Sequence, residues 1–194
     1  MVETAEVQPR SSRLRDIGVA LVIGLVVVGV VFALNWQGED KSGGVTGRSL
    51  GAGGAAPQVG KSAADFTVAG VDGRPLHLSD FKGRPVWLNF WATWCPPCRA
   101  EMPDIVAVYD EEQSKDLVIL AVSIGEDADT VRQYVEKAGM KFTVGVDGRQ
   151  SIADMYRVSG IPTHIFIDRD GIVRDVQVGG MSRSLMKQRL GKIL

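Results

Sequence analysis

Three regimes of hydrophobicity divide the chain. Residues 17–36, IGVALVIGLVVVGVVFALNW, run without a charge over about 20 positions, roughly 30 Å of helix and enough to cross a hydrocarbon core. Residues 1–16 before it are polar. Residues 37–60 after it, QGEDKSGGVTGRSLGAGGAAPQVG, are dense in Gly, Ser and Ala; such a stretch buries no core and is expected to act as a flexible linker. From 61 to 194 short apolar runs recur with the spacing of a folded domain.

Inside that domain the periods alternate. Residues 66–71 and 75–78 flank Asp72-Gly73, a pair that favours a hairpin turn. The segment 85–91, PVWLNFW, is nearly all apolar and of strand length, as expected of a central strand covered on both faces. After Cys95 a helix is predicted to run toward Glu112, with Pro96 or Pro97 in a first turn that tolerates proline and with Pro103 inside it. Residues 117–124, LVILAVSI, read as a second buried strand. Over 127–138, Val131, Tyr134 and Val135 fall at helical spacing, and Gly139 is suited to end that helix. A short segment at 142–146 and a helical turn at 151–156 follow. Residues 163–167 and 172–178 form a second hairpin across Asp168-Arg169-Asp170-Gly171, and 181–194 reads as a closing helix. Strands alternating with helices, then a late hairpin, predict an α/β domain: a central mixed sheet flanked by helices.

Composition narrows the functional classes. The 194 residues hold 22 Lys and Arg against 23 Asp and Glu, a net charge of -1 without a basic stripe, so nucleic acid is not an expected partner. Arg10, Arg13 and Arg15 precede the apolar run and favour a cytoplasmic N-terminus, although Asp16 adjoins them and Lys41 and Arg48 lie beyond. The run is too long for a signal peptide and lacks its small-residue cleavage pattern. No cysteine follows closely enough for lipid attachment. The expectation is a cytoplasmic tail over 1–16, a single-pass anchor over 17–36, a linker over 37–60 and a folded domain over 61–194 outside the cytoplasm.

Cysteine usage carries the chemistry. Two cysteines, three positions apart, cannot staple a small secreted fold or form a four-thiolate zinc site. A C-x-x-C at a strand-to-helix junction places the first thiol at a helix N-terminus, where the macrodipole and free N–H groups favour a thiolate. One turn later the second thiol reaches the first. Cys95 is therefore expected to be the exposed nucleophile and Cys98 the more buried resolving thiol.

The stretch Phe90-Trp91-Ala92-Thr93-Trp94-Cys95-Pro96-Pro97-Cys98-Arg99, with Glu101-Met102-Pro103 and Gly160-Ile161-Pro162-Thr163, resembles the thioredoxin superfamily and, within it, the membrane-anchored ResA/TlpA/CcmG-like branch. The resemblance covers about 57–194 and implies a thioredoxin-like fold after one transmembrane helix. It implies that Pro162 follows a cis peptide bond and lies against the cysteine pair. It implies that the backbone of Ile161 pairs with an extended substrate chain, and that Trp94, Pro96, Pro97 and Thr163 also contact substrate. Thioredoxin has a buried Asp where this chain has Asn89, and Asn does not accept a proton. ResA-like proteins share that Asn and carry a Glu three residues after the second cysteine, here Glu101. One helical turn from Cys98, Glu101 is positioned to shuttle the proton that Cys98 must lose. Glu126 matches a further acid of the family. The implied activity is reduction of extracytoplasmic disulfides, for example in apocytochrome c during cytochrome c maturation. A membrane thiol transporter of the DsbD/CcdA kind would supply the electrons. No cofactor or metal is implied. Copper-assembly proteins are the other substrate class of the branch.

Three rival readings compete with this one. The segment LHLSDFKGRPVWLNFW also resembles the opening of peroxiredoxins, but their peroxidatic cysteine follows Thr or Ser at minus three and Pro at minus seven. Cys95 has Ala92 and Leu88 there, and Cys98 has Cys95 and Trp91. A Cu(I) chaperone would use Cys95 and Cys98 with His164. A disulfide-forming oxidant of the DsbA kind would need a helical insertion for which the chain has no room.

Overall fold

A computed structural model describes residues 56–194. The expected tail, the anchor and the linker up to residue 55 lie outside the described residues, and among those described no helix is long and apolar enough to cross a membrane. The chain joins the domain at Gly60, whose N–H donates to the Val173 carbonyl at 2.8 Å, and Ser62 bridges to Ile172.

Seven strands form one mixed sheet: β1 (Thr67–Gly70), β2 (Pro75–His77), β3 (Val86–Trp91), β4 (Val118–Ile124), β5 (Thr143–Asp147), β6 (Thr163–Ile167) and β7 (Val173–Val178). Their order is β2-β1-β5-β4-β3-β6-β7. The central pairs β3–β4 and β4–β5 are parallel and the flanking pairs antiparallel. The first hairpin turns at Gly73, whose φ of 84° suits glycine, and Thr67 pairs with His77. Every residue of β3, β4 and β6 is buried, as the apolar runs of β3 and β4 predicted.

Four helices cover the sheet: α1 (Pro96–Glu112), α2 (Ala128–Ala138), α3 (Ser151–Met155) and α4 (Arg183–Leu190). On one face α1, α2 and α4 pack Met102, Ile105, Val108, Val131, Met186 and Leu190 against Trp87, Trp91, Ile119 and Phe166. On the other, Phe66 and Leu78 join Ile152 and Ala153 of α3 and Tyr156, over Leu88, Phe90, Leu120 and Ile165. Helix α1 continues through Pro103. Helix α2 opens on Asp127, whose carboxylate accepts the Thr130 N–H, and ends on Gly139 at φ 67°.

The closing helix is shorter than the periodicity predicted. It starts at Arg183 rather than 181 because Ser182 caps it, accepting from the Leu185 N–H. Met181 stays in the preceding loop, where its N–H donates to the Glu101 carboxylate.

Candidate active site

The buried strand β3 delivers the chain to a tight turn, and α1 begins immediately after Cys95. The two cysteines are joined: Cys95 and Cys98 form a disulfide with Cα atoms 5.3 Å apart. The Cys98 N–H, in the first turn of α1, points at Cys95 Sγ over 3.2 Å. That donor and the positive end of the helix would stabilise negative charge on Cys95 sulfur once the bond is reduced.

The disulfide is more enclosed than expected. Cys98 is fully buried, and Cys95 retains only 2% of its surface instead of standing exposed. The cause is the facing loop. Ile161–Pro162 is a cis peptide, and the Ile161 carbonyl lies 3.7 Å from Cys95 Sγ. The loop is tied down by a Thr163 hydroxyl bond to the Gly160 carbonyl at 2.6 Å and a Gly179 N–H bond to the Pro162 carbonyl at 2.8 Å. Trp94, Pro96 and Pro97 ring the cysteines on the outside, and Trp94 is 59% exposed. Thr163 is buried, and its hydroxyl is spent on the Gly160 carbonyl.

Two carboxylates flank the pair. Glu126 accepts from the Thr93 N–H at 2.8 Å, the Thr93 hydroxyl and the Ser123 hydroxyl at 2.7 Å. It thereby pins the loop that carries Trp94 and Cys95 to the end of β4. Glu101 is 4% exposed, a carboxylate inside the protein and not a solvated helix side chain. One of its oxygens accepts the Met181 N–H at 2.9 Å. The other lies 3.2 Å from His164 Nε2. A depression of about 250 Å³ lined by Pro97, Ala100, Glu101, Asp104, Gly180 and Met181 connects that carboxylate to the surface.

On the opposite flank a groove of about 780 Å³ runs between α1 and α2, past Thr93, Pro96, Arg99, Tyr134 and Lys137. Burial raises the Tyr134 phenol above its ordinary range, and the Arg99 guanidinium partly offsets this.

Asn89 lies on the cysteine face of β3, fully buried, with neither amide atom hydrogen-bonded among the described residues. His164 is also fully buried, and its Nδ1 accepts the Trp87 indole N–H at 3.2 Å. That bond occupies one ring lone pair while Nε2 faces Glu101, so His164 presents no lone pair to sulfur. Among the described residues no group of three or more His, Cys, Asp or Glu is placed to hold a metal. The Trp87 and Met181 contacts had no sequence signal, since they join residues 77 and 80 positions apart in the chain.

The profile of the AhpC/TSA family matches residues 59–176, more than half of the chain. The chain belongs to that family. It is 37% identical over 135 residues to the thiol-disulfide oxidoreductase ResA of Geobacillus thermodenitrificans, covering 70% of this chain and 78% of that one. It is 38% identical over 136 residues to ResA of Bacillus anthracis, covering 70% and 79%. Among solved structures it resembles a thiol:disulfide interchange protein of the thioredoxin family from Chlorobium tepidum, with a TM-score of 0.62 and 30% identity over 71% of this chain and 97% of that one. This AhpC/TSA member is a thiol–disulfide oxidoreductase of the ResA type with a thioredoxin-like α/β fold. The family match agrees with the likeness of residues 76–91 to peroxidase openings, whereas Leu88 and Ala92 still stand where a peroxidatic motif needs Pro and Thr or Ser.

Proposed function

We propose that the chain is a membrane-anchored reductase of extracytoplasmic protein disulfides, working through the Cys95–Cys98 dithiol. The carrying observation is the cysteine pair at the N-terminus of α1, faced by the cis Ile161–Pro162 loop, with a buried carboxylate one turn further on.

In the reduced enzyme the Cys95 thiolate attacks one sulfur of a substrate disulfide. A Cys95–substrate bond forms, the substrate's own S–S bond breaks, and one substrate thiolate leaves. Cys98 passes its proton to Glu101 and attacks Cys95 Sγ. The mixed disulfide breaks, the second substrate thiolate departs, and the Cys95–Cys98 disulfide remains. Two electrons have moved to the substrate, whose thiolates take protons from water, and Glu101 returns its own through the depression beside Asp104. The substrate backbone pairs with Ile161 against Pro162, beside Trp94, Pro96 and Pro97.

The apolar segment 17–36 would hold the domain on the outer side of the membrane, with 1–16 in the cytoplasm and 37–60 as tether. Tethering keeps the domain at high effective concentration near a membrane thiol transporter of the DsbD/CcdA kind, which restores the dithiol. Apocytochrome c with an oxidised C-x-x-C-H is the proposed substrate, and copper-assembly proteins are the class to compare with it.

The test uses the full chain and an oxidised C-x-x-C-H peptide. Cys98→Ser should trap a covalent peptide adduct visible by intact mass, and Cys95→Ser should form none. Peptide reduction that survives Cys95→Ser refutes the scheme. The anchor is tested separately by fractionation: release of the full chain into the soluble fraction refutes it.

A further inference from the structure

We propose that His164 is a positioning residue for Glu101 and that, through Glu101, it controls the proton transfer that frees Cys98 to resolve the mixed disulfide. This rests on the reading of Glu101 as the proton acceptor.

Trp87 fixes the tautomer of His164. An indole N–H donates and never accepts. Its 3.2 Å contact with His164 Nδ1 therefore makes that nitrogen the acceptor, which puts the ring proton on Nε2. Nε2 lies 3.2 Å from Glu101 Oε1, a polar contact outside hydrogen-bond alignment, and neither atom has a hydrogen bond among the described residues, so each is the other's nearest polar partner. The second oxygen of Glu101 is taken by the Met181 N–H. One oxygen is thus hydrogen-bonded from the loop before α4 and the other is held in polar contact with β6, and together they orient the carboxylate relative to Cys98 on its own helix.

Other groups near Glu101 do not replace this control. Helix α1 itself contributes Cys98, and Asp104 beside the depression. Strand β3 contributes Trp87 and Asn89, which do not titrate; β6 contributes His164; the loop before α4 contributes the Met181 main chain. His164 is the one ionisable side chain that reaches the carboxylate from outside α1 among the described residues. Burial of both partners shields the contact from water.

The reduced full chain is mixed with an aromatic disulfide whose thiol is coloured. The first phase reports attack by Cys95 and the second reports resolution by Cys98, each followed across pH. Glu101→Gln should slow the second phase and flatten its pH profile. His164→Leu should slow the same phase about tenfold at neutral pH, less than the ~100-fold or more of a lost general base, and leave the first phase nearly unchanged. His164→Gln, whose Nε2 carries N–H donors, should restore most of the rate. Adding His164→Leu to Glu101→Gln should change nothing further. If His164→Leu fails to fold, Trp87→Phe, which releases Nδ1, carries the test and should show an intermediate effect. A normal second phase in these variants beside a defective Glu101→Gln overturns the role of His164 and leaves that of Glu101 standing. A normal Glu101→Gln overturns both. A His164→Leu defect that persists undiminished in the Glu101→Gln background also overturns the proposal.

Discussion

At the scale of single residues, two buried polar groups are treated in opposite ways. Tyr156 is satisfied: its hydroxyl donates to the Ala64 carbonyl, its ring meets Phe66 edge-on at 5.6 Å, and burial together with the nearby Asp65 charge pushes the phenol well above its usual range. The folded state therefore holds this proton more tightly than the unfolded chain. The resulting stability is fully present below about pH 10, the ordinary tyrosine value, and is lost as pH climbs toward the folded value. Tyr156→Phe should cost about 1 kcal/mol at neutral pH for the lost hydrogen bond, yet its melting temperature should fall less steeply above about pH 10. Parallel curves for the two proteins would remove Tyr156 as the source. Asn89 is the contrary case, a buried amide with no partner among the described residues. An unpaired buried amide is costly, about 1–3 kcal/mol. Asn89→Val, of similar size and better suited to a strand, should leave the melting temperature unchanged or raise it. A clear drop would reveal a partner for the amide. The identity of Asn89 was plain in the sequence, but its isolation was not. Which side chains face it depends on the pairing of β3 with β6, where Asn89 opposes His164.

At the scale of elements, the pattern of hydrophobic positions located most strands and helices but not their faces. Strands β3 and β6 are buried on both sides, so the alternation that normally tells inside from outside is absent. For that reason the sequence leaves His164 open to a minor reading as a copper ligand beside the cysteines, and only the register with β3 turns it toward Trp87 and Glu101. The burial of Glu101 is invisible in the helix pattern because the loop that covers it comes 80 residues later in the chain. The β1–β5 junction is a sharper case of a contact hidden from local pattern. Gly145 sits in β5, and a Cβ there would come within 2.6 Å of Val68 Cγ1 on β1. Valine is stiff at χ1 and cannot swing clear cheaply. Gly145→Ala should therefore destabilise the domain by about 1–3 kcal/mol, and Val68→Ala in the same chain should recover part of that loss. Equal melting temperatures for wild type and Gly145→Ala would show that β1 yields freely.

At the scale of the whole molecule, the direction of electron flow depends on what surrounds the cysteine pair as well as on the pair itself. Strong oxidants of the DsbA kind carry a helical insertion. Here the connection from Asp147 to Thr163 holds only the five-residue α3, and that from Glu112 to Val118 holds only a short 3-10 turn. With no insertion to reshape the cleft, the disulfide is covered by the Ile161–Pro162 loop, whose carbonyl lies 3.7 Å from Cys95 Sγ. The dipeptide Pro96-Pro97 removes two backbone N–H groups from the first turn of α1, so thiolate stabilisation at Cys95 falls on the Cys98 N–H that points at its sulfur. One donor gives moderate stabilisation of the reduced form, not the extreme stabilisation that makes a strong oxidant. The full chain equilibrated in thiol redox buffers should accordingly show a potential near or below about -230 mV. A value near about -120 mV would mean that the reduced form is far better stabilised than this donor set allows, and that the protein makes disulfides instead of breaking them.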